Sequence, residues 1–252
     1  MTRSSFLALA IALASSCGPK GGTDVGNGAT VSYNVRAYEK APSASEQALT
    51  LSNGVEVDAV WVSIEQFRLT PGGSCGAGAA GDPPDFQGPV IADLLGAGVV
   101  TELPRYDVDA GEYCRLRVTL HAVDAAELPA TAPPELAGHS VLVTGRRADG
   151  TAFSIRTDQK FQLKLDADTP FELRGVEPLI IGFDLASMIA SVDLDSFPGP
   201  TIVVDATTPS VIAQFDQALR AAPSLFRDED GNGDLSPAES AAGEEIAEGS
   251  LN

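Results

Sequence analysis

The sequence predicts a mostly β protein, an antiparallel β-sandwich followed by one C-terminal helix and one carboxylate-rich loop. Three observations carry this expectation. Between residues 30 and 205, short runs of Val, Ile, Leu and Phe alternate with polar residues at a period of two. Turn residues drawn from 25 Gly and 17 Pro separate those runs. No alternation of strands with long helical stretches, the mark of a parallel α/β sheet, interrupts the series. A chain of 252 residues, 44% of them hydrophobic, suffices for one sizeable core. Sixteen Lys and Arg against 35 Asp and Glu leave a net charge of −19, which excludes nucleic acid as an expected partner.

The first element in chain order is an export signal. Arg3 supplies a basic start, Phe6 to Ala14 contains no polar residue, and the small residues Ser15 and Ser16 precede Cys17. That apolar core is far shorter than the roughly 18 residues a membrane-spanning helix needs. Leu13-Ala14-Ser15-Ser16-Cys17 resembles the lipobox of bacterial lipoproteins. The resemblance implies cleavage before Cys17, acylation of that cysteine and a membrane anchor held by more than one acyl chain. Gly18, where Asp would imply inner-membrane retention, points to the outer membrane or the cell surface. An ordinary secretory signal is the competing reading. Residues 1–17 are therefore signal and lipobox, and residues 18–29 a Gly-containing flexible tether.

Residues 30–205 form the expected β-domain. Val31, Tyr33, Val35 and Ala37 alternate with Ser32, Asn34 and Arg36. Ala48–Ser52 and Val55–Ile64 flank Asn53-Gly54, which reads as a hairpin with a primed two-residue turn. A second hairpin joins Ser140–Thr144 to Thr151–Arg156 through Asp149-Gly150. Gln159–Leu165, Phe171–Arg174, Pro178–Phe183 and Thr201–Asp205 are further strands, and Asp184–Ile189 a helical turn. With the signal removed, Cys75 and Cys114 remain in an oxidising compartment, where two thiols allow a single connectivity. Alternation along Glu112–Leu120 places Cys114 on the buried side with Leu116, Val118 and Leu120. A disulfide is expected; two free thiols, with Cys114 as core filler, is the alternative.

Val57–Arg68, Ile91–Leu95, Gly111–Val118 and Ile181–Leu185 stand in an order that resembles a bacterial lipoprotein domain of unknown function. The resemblance implies a transthyretin-like or immunoglobulin-like sandwich and assigns no catalytic residues.

No nucleophile elbow, phosphate loop or zinc-protease helix is present, and His121 and His139 read as surface or rim residues. A non-enzymatic role is the expectation. Arg115, Arg117, Arg146, Arg147, Arg156, Lys160 and Lys164 concentrate positive charge in the central strands. They read either as outer-face residues balancing nearby acids or as contacts for an anionic sugar or a peptide carboxylate.

Residues 206–252 hold the most specific motif. Thr208 as cap and Pro209 at the first position open a helix running to Ala222, with Val211, Ile212, Phe215 and Leu219 on one face. After Pro223, which breaks or shortens any entering helix, Asp228-Glu-Asp-Gly-Asn-Gly-Asp-Leu-Ser-Pro-Ala-Glu239 matches the EF-hand loop. Asp228, Asp230 and Asn232 stand at positions one, three and five, where side-chain oxygens converge on one Ca2+ ion. Gly233 permits the turn, Asp234 offers its carbonyl, Leu235 packs beneath, and Glu239 binds bidentately at position twelve. Ser236 to Glu239 also form a capping box, which explains those two residues but not the Asp/Asn/Gly series. A single loop of this kind suits a weak extracellular site.

Together these features describe an envelope-anchored calcium-binding lipoprotein serving as a binding or structural module for a glycan or an envelope protein. The competing readings are an envelope glycan hydrolase with structural calcium, and an assembly subunit engaging a partner through its acidic C-terminal segment.

Overall fold

A sixteen-residue strand, β3 (Glu56–Pro71), organises the protein. Its buried apolar residues are Val57, then Val60, Val62 and Ile64, then Phe67 and Leu69, so the inward parity switches twice. Each switch falls at a break in pairing register, between Val57 and Ala59 and between Ile64 and Gln66. A bulge inserts one residue and bends the strand. The bends let β3 leave one partner, β7 (Val141–Arg146), and take up another, β6 (Gly111–Leu120), along its length.

The computed structural model describes residues 28–38, 49–72, 75, 86–96, 105–235, 240 and 245–251. Among these residues the remaining strands are β1 (Gly28–Tyr38), β2 (Leu49–Thr50), β4 (Phe86–Asp93), β5 (Tyr106–Asp109), β8 (Ala152–Thr157), β9 (Phe161–Leu173), β10 (Gly175–Asp184), β11 (Thr201–Val204), β12 (Pro223–Arg227) and β13 (Glu245–Gly249). Helices α1 (Leu185–Ala190) and α2 (Pro209–Ala221) accompany them. The strands join in one hydrogen-bonded series, β11-β8-β7-β3-β6-β9-β13-β12-β10-β1-β5, with β2 and β4 also on β3.

The protein is therefore mostly β, as expected, but the sheet is mixed rather than antiparallel throughout. β1 runs parallel to β10 from Ala29–Gly175 to Tyr38–Asp184, and β8 runs parallel to β11. The series curls on itself until its distant parts meet at Leu94. The Ala37 N–H donates to the Leu94 carbonyl at 2.9 Å, and the Leu94 N–H donates to the Val60 carbonyl at 2.8 Å. Inside the curl Tyr33 stacks on Phe67 with ring centroids 5.0 Å apart, and Tyr106 and Phe86 extend the aromatic cluster. Along β1, Gly28 and Ala29 of the expected tether already pair with β5, and Ser32, Asn34 and Arg36 on its polar face are buried.

Local expectations meet the structure unevenly. The 140–156 hairpin turns at Gly150, where φ is +86°. The Asn53-Gly54 turn is not a primed one. Only Gly54 has positive φ, the Gly54 N–H donates to the Leu51 carbonyl and the Leu51 N–H to the Val55 carbonyl, a three-residue loop with one left-handed glycine. The expected helical turn at 184–189 is α1, with the Asp184 carboxylate accepting from the Ala186 N–H at 3.1 Å. Helix α2 starts at Pro209 as read, yet the Thr208 hydroxyl does not cap it; it donates to the Asp205 carbonyl at 2.9 Å. Phe215 and Leu219 enter the core, with Val211 and Ile212 partly buried beside them. The residues after α2 add β12 and β13 to the sheet between β10 and β9, where no strand was expected.

Cys75 and Cys114 are joined in a disulfide with a Cα–Cα distance of 5.0 Å. Cys114 lies at the register break of β6 between Tyr113 and Arg115, and the break sends Tyr113 into the core. Both are buried, so simple alternation located the cysteine's burial but missed its neighbour. The bridge spans a sequence separation of 39 residues. Its removal is expected to cost about 3–4 kcal/mol by the loop-entropy model. Urea melts of wild type and a Cys75→Ser/Cys114→Ser variant measure this, and equal midpoints would contradict it.

Candidate functional site: the loop over β1, β10 and β12

Strand β12 leads directly into the candidate loop, so a strand stands where an EF-hand has its entering helix. The Asp228 N–H still follows the sheet, donating to the Pro178 carbonyl at 3.1 Å. Beyond it the chain coils tightly, with Gly231 at φ +70° and Gly233 at φ +78°, a conformation that side chains with a Cβ resist. The coil is held by its own short polar residues. Asp230 accepts from the Asn232 N–H at 3.0 Å and from the Asn232 amide group at 2.7 Å, and the Asn232 oxygen accepts from the Asp234 N–H at 2.6 Å. These are the local turns for which Asp and Asn are suited.

Asp228 differs from its neighbours. It is only 4% exposed, and its Oδ2 accepts from the Gly233 N–H at 2.9 Å. Its other oxygen, Oδ1, is buried with no hydrogen-bond partner. A buried carboxylate oxygen without a donor is costly. Burial pushes the Asp228 carboxyl above the ordinary carboxylate range; the Gly233 and Gly231 N–H groups oppose the rise, and Asp230 adds to it. The arrangement would be relieved by a cation, and a donor set made only of oxygens suits a hard one such as Ca2+.

The sequence-derived site residues separate into two groups. Asp228, Asp230, Asn232 and Asp234 occupy this one loop, and the Asp234 side chain turns away to Arg36, whose Nε donates to it at 3.0 Å. With its side chain committed to Arg36, Asp234 could offer a cation only its backbone carbonyl, the group used at position seven of an EF-hand loop. Glu239 and Cys17 lie outside the described residues, as do Pro237 and Ala238, where a helix would follow the capping box; Ser240 just beyond them is helical. Among the described residues no three His, Cys, Asp or Glu side chains gather as a metal-holding group.

Leu235 packs, as read, beneath the loop. Its floor is a small apolar cluster of Tyr38, Ile180 and Phe226 on the outer side of the sheet, with the Tyr38 and Phe226 rings edge-on at 5.6 Å. Gly182 makes room for this floor: a Cβ there would meet the Tyr38 ring at 2.8 Å and Leu235 Cδ2 at 3.0 Å. Gly182→Ala is accordingly expected to destabilise the fold by about 1–3 kcal/mol through overpacking. It should also speed amide exchange in residues 228–235, and unchanged exchange there would contradict the packing. Sequence reasoning missed Arg36 and this floor. The only available signal was a charged residue within an apolar-alternating strand.

Away from the loop, His139 lines a pocket of about 120 Å³ with Arg156, Asp158 and Asp205. The Asp205 carboxyl is held down to about 2, first by hydrogen bonds from Thr207 and then by Arg156. Pockets for small molecules usually measure about 300–1,000 Å³. The other histidine, His121, is exposed, with Nδ1 2.9 Å from the Ala122 carbonyl oxygen.

The chain matches no protein-family model, no curated protein and no solved structure.

Proposed function

We propose that this protein is an envelope-anchored calcium-binding lipoprotein acting as a binding or structural module. The single observation that carries the calcium reading is the buried, unpartnered Oδ1 of Asp228 within a loop whose spacing fits the EF-hand series. Asp228, Asp230 and Asn232 would hold the ion through side-chain oxygens, Asp234 through its carbonyl and Glu239 through its carboxylate. From Asp228 to Glu248 there are eight carboxylates and no Lys or Arg, so a bound cation would also relieve repulsion along the segment. The anchor rests on Leu13–Cys17 and the apolar run before it. The curled sheet serves in this reading as the sandwich-type scaffold of the lipoprotein domain that residues 30–190 resemble.

Calorimetric titration of the purified chain with calcium tests the ion. Binding in the micromolar to millimolar range is expected, with magnesium a poor competitor. No heat at several millimolar calcium would refute the assignment. For the anchor, Cys17→Ala should move the protein out of the membrane fraction and abolish labelling by a fatty-acid analogue. A wild type that never takes the label refutes acylation.

A further inference from the structure

The outer face of β3, β6 and β9 carries cations in register. Arg68 of β3 stands directly opposite Arg117 of β6, and Arg117 stands opposite Lys164 of β9. Like charges placed opposite each other on neighbouring strands destabilise a sheet. The adjacent row shows the balanced alternative: Arg115, opposite Asp166 on the same two strands, is ion-paired with it. Lys160 likewise reaches Glu65 at 2.5 Å. Arg68 and Arg117 have no such relief. The Nε atoms of both are buried without an acceptor, and neither guanidinium forms an ion pair with a described carboxylate. This happens in a chain with more than twice as many acids as bases, 35 against 16, where partners are plentiful. Burial, then the neighbouring Arg115 and Arg68 charges, pull Arg117 below the ordinary guanidinium range, and Asp166 only partly offsets them.

We propose that this face binds an oxyanion, held between Arg68 and Arg117. Adjacent strands lie about 4.8 Å apart, so a phosphate-sized group can meet both guanidinium forks at once. Arg suits such planar, two-point recognition better than Lys. The inference deepens the binding-module reading by naming a ligand chemistry, and it is independent of calcium and of the anchor. Free phosphate and an anionic lipid headgroup share that chemistry.

The test titrates the full Cys17→Ala chain, which removes any acyl anchor, with inorganic phosphate and separately with phosphatidylglycerol or phosphatidylcholine vesicles. Phosphate should bind, and Arg68→Gln and Arg117→Gln should each weaken it about tenfold. Arg146→Gln, which removes only an exposed pair to Asp58, should bind as the parent does. Binding to phosphatidylglycerol but not to phosphatidylcholine, lost in Arg117→Gln, would identify the headgroup as the source. Because Arg117→Gln removes a like-charge contact, it should melt no lower than the parent in phosphate-free buffer. If neither phosphate nor phosphatidylglycerol binds, or if either binds both variants as tightly as the parent, the proposal is overturned. An Arg117→Gln chain that melts lower while binding normally would also overturn it, since the row would then be structural.

Discussion

Asp228→Asn is expected to eliminate calcium-dependent stabilisation without harming the calcium-free fold. The amide keeps the size of the side chain and one oxygen to accept the Gly233 N–H, while placing a neutral group where the unpartnered Oδ1 stands. It also removes a buried charge beside Asp230, so the calcium-free variant should melt at or above wild type. In wild type, calcium at 100 times its Kd should add about 2.7 kcal/mol if the loop unfolds with the domain. The variant should lose that gain entirely, as read by thermal melts with calcium and with chelator. A variant that retains the calcium shift would show that Asp228 is not a ligand. If the loop melts alone, the wild-type gain will appear instead as calcium-dependent protection from proteolysis near residue 230, and Asp228→Asn should abolish that protection.

Phe67→Ala should be among the most damaging core substitutions. Phe67 is 0% exposed, stacks on Tyr33 at 5.0 Å and touches Phe86 at 5.8 Å between ring centroids. It also follows the second register break of β3, between Ile64 and Gln66. A loss of about 3–5 kcal/mol is expected, read as a shifted urea midpoint with unchanged slope. Phe86, only partly buried, should lose less on truncation. A loss at Phe67 below about 1 kcal/mol would contradict its place at the centre of the core.

What the sequence revealed and what it hid divide along physical lines. Local rules made the loop legible: Asp228, Asp230, Asn232 and Gly233 occur at a spacing that the backbone itself imposes, and they occupy one coil. Hairpins close in sequence were legible for the same reason, although Asn53 takes no left-handed conformation and so makes a different turn. Pairing between distant segments leaves no local trace. Nothing near Val31 announces a parallel partner at Glu177, and nothing near Glu65 announces a bulge. The polar face of β1 reads as outward from its alternation, yet Ser32, Asn34 and Arg36 are buried, and Arg36 is bonded to Asp234 of the distant loop. The floor under Leu235 was hidden likewise, because Tyr38, Ile180 and Phe226 come from three strands distant in the chain.

The positions of β12 and β13 also dictate an order of assembly. They come after every other strand in the chain, yet they stand between β9 and β10 in the sheet. Until they are in place, β9 offers Leu165 and Asp166, and β10 offers Leu179 to Phe183, as unsatisfied backbone edges. Such edges invite association with other chains. The interior residues of the sheet thus wait on the most distal ones. Synthesis of the first two hundred residues cannot by itself complete this fold, and a truncation before Pro223 should leave a sticky, partly ordered chain rather than a smaller version of the protein.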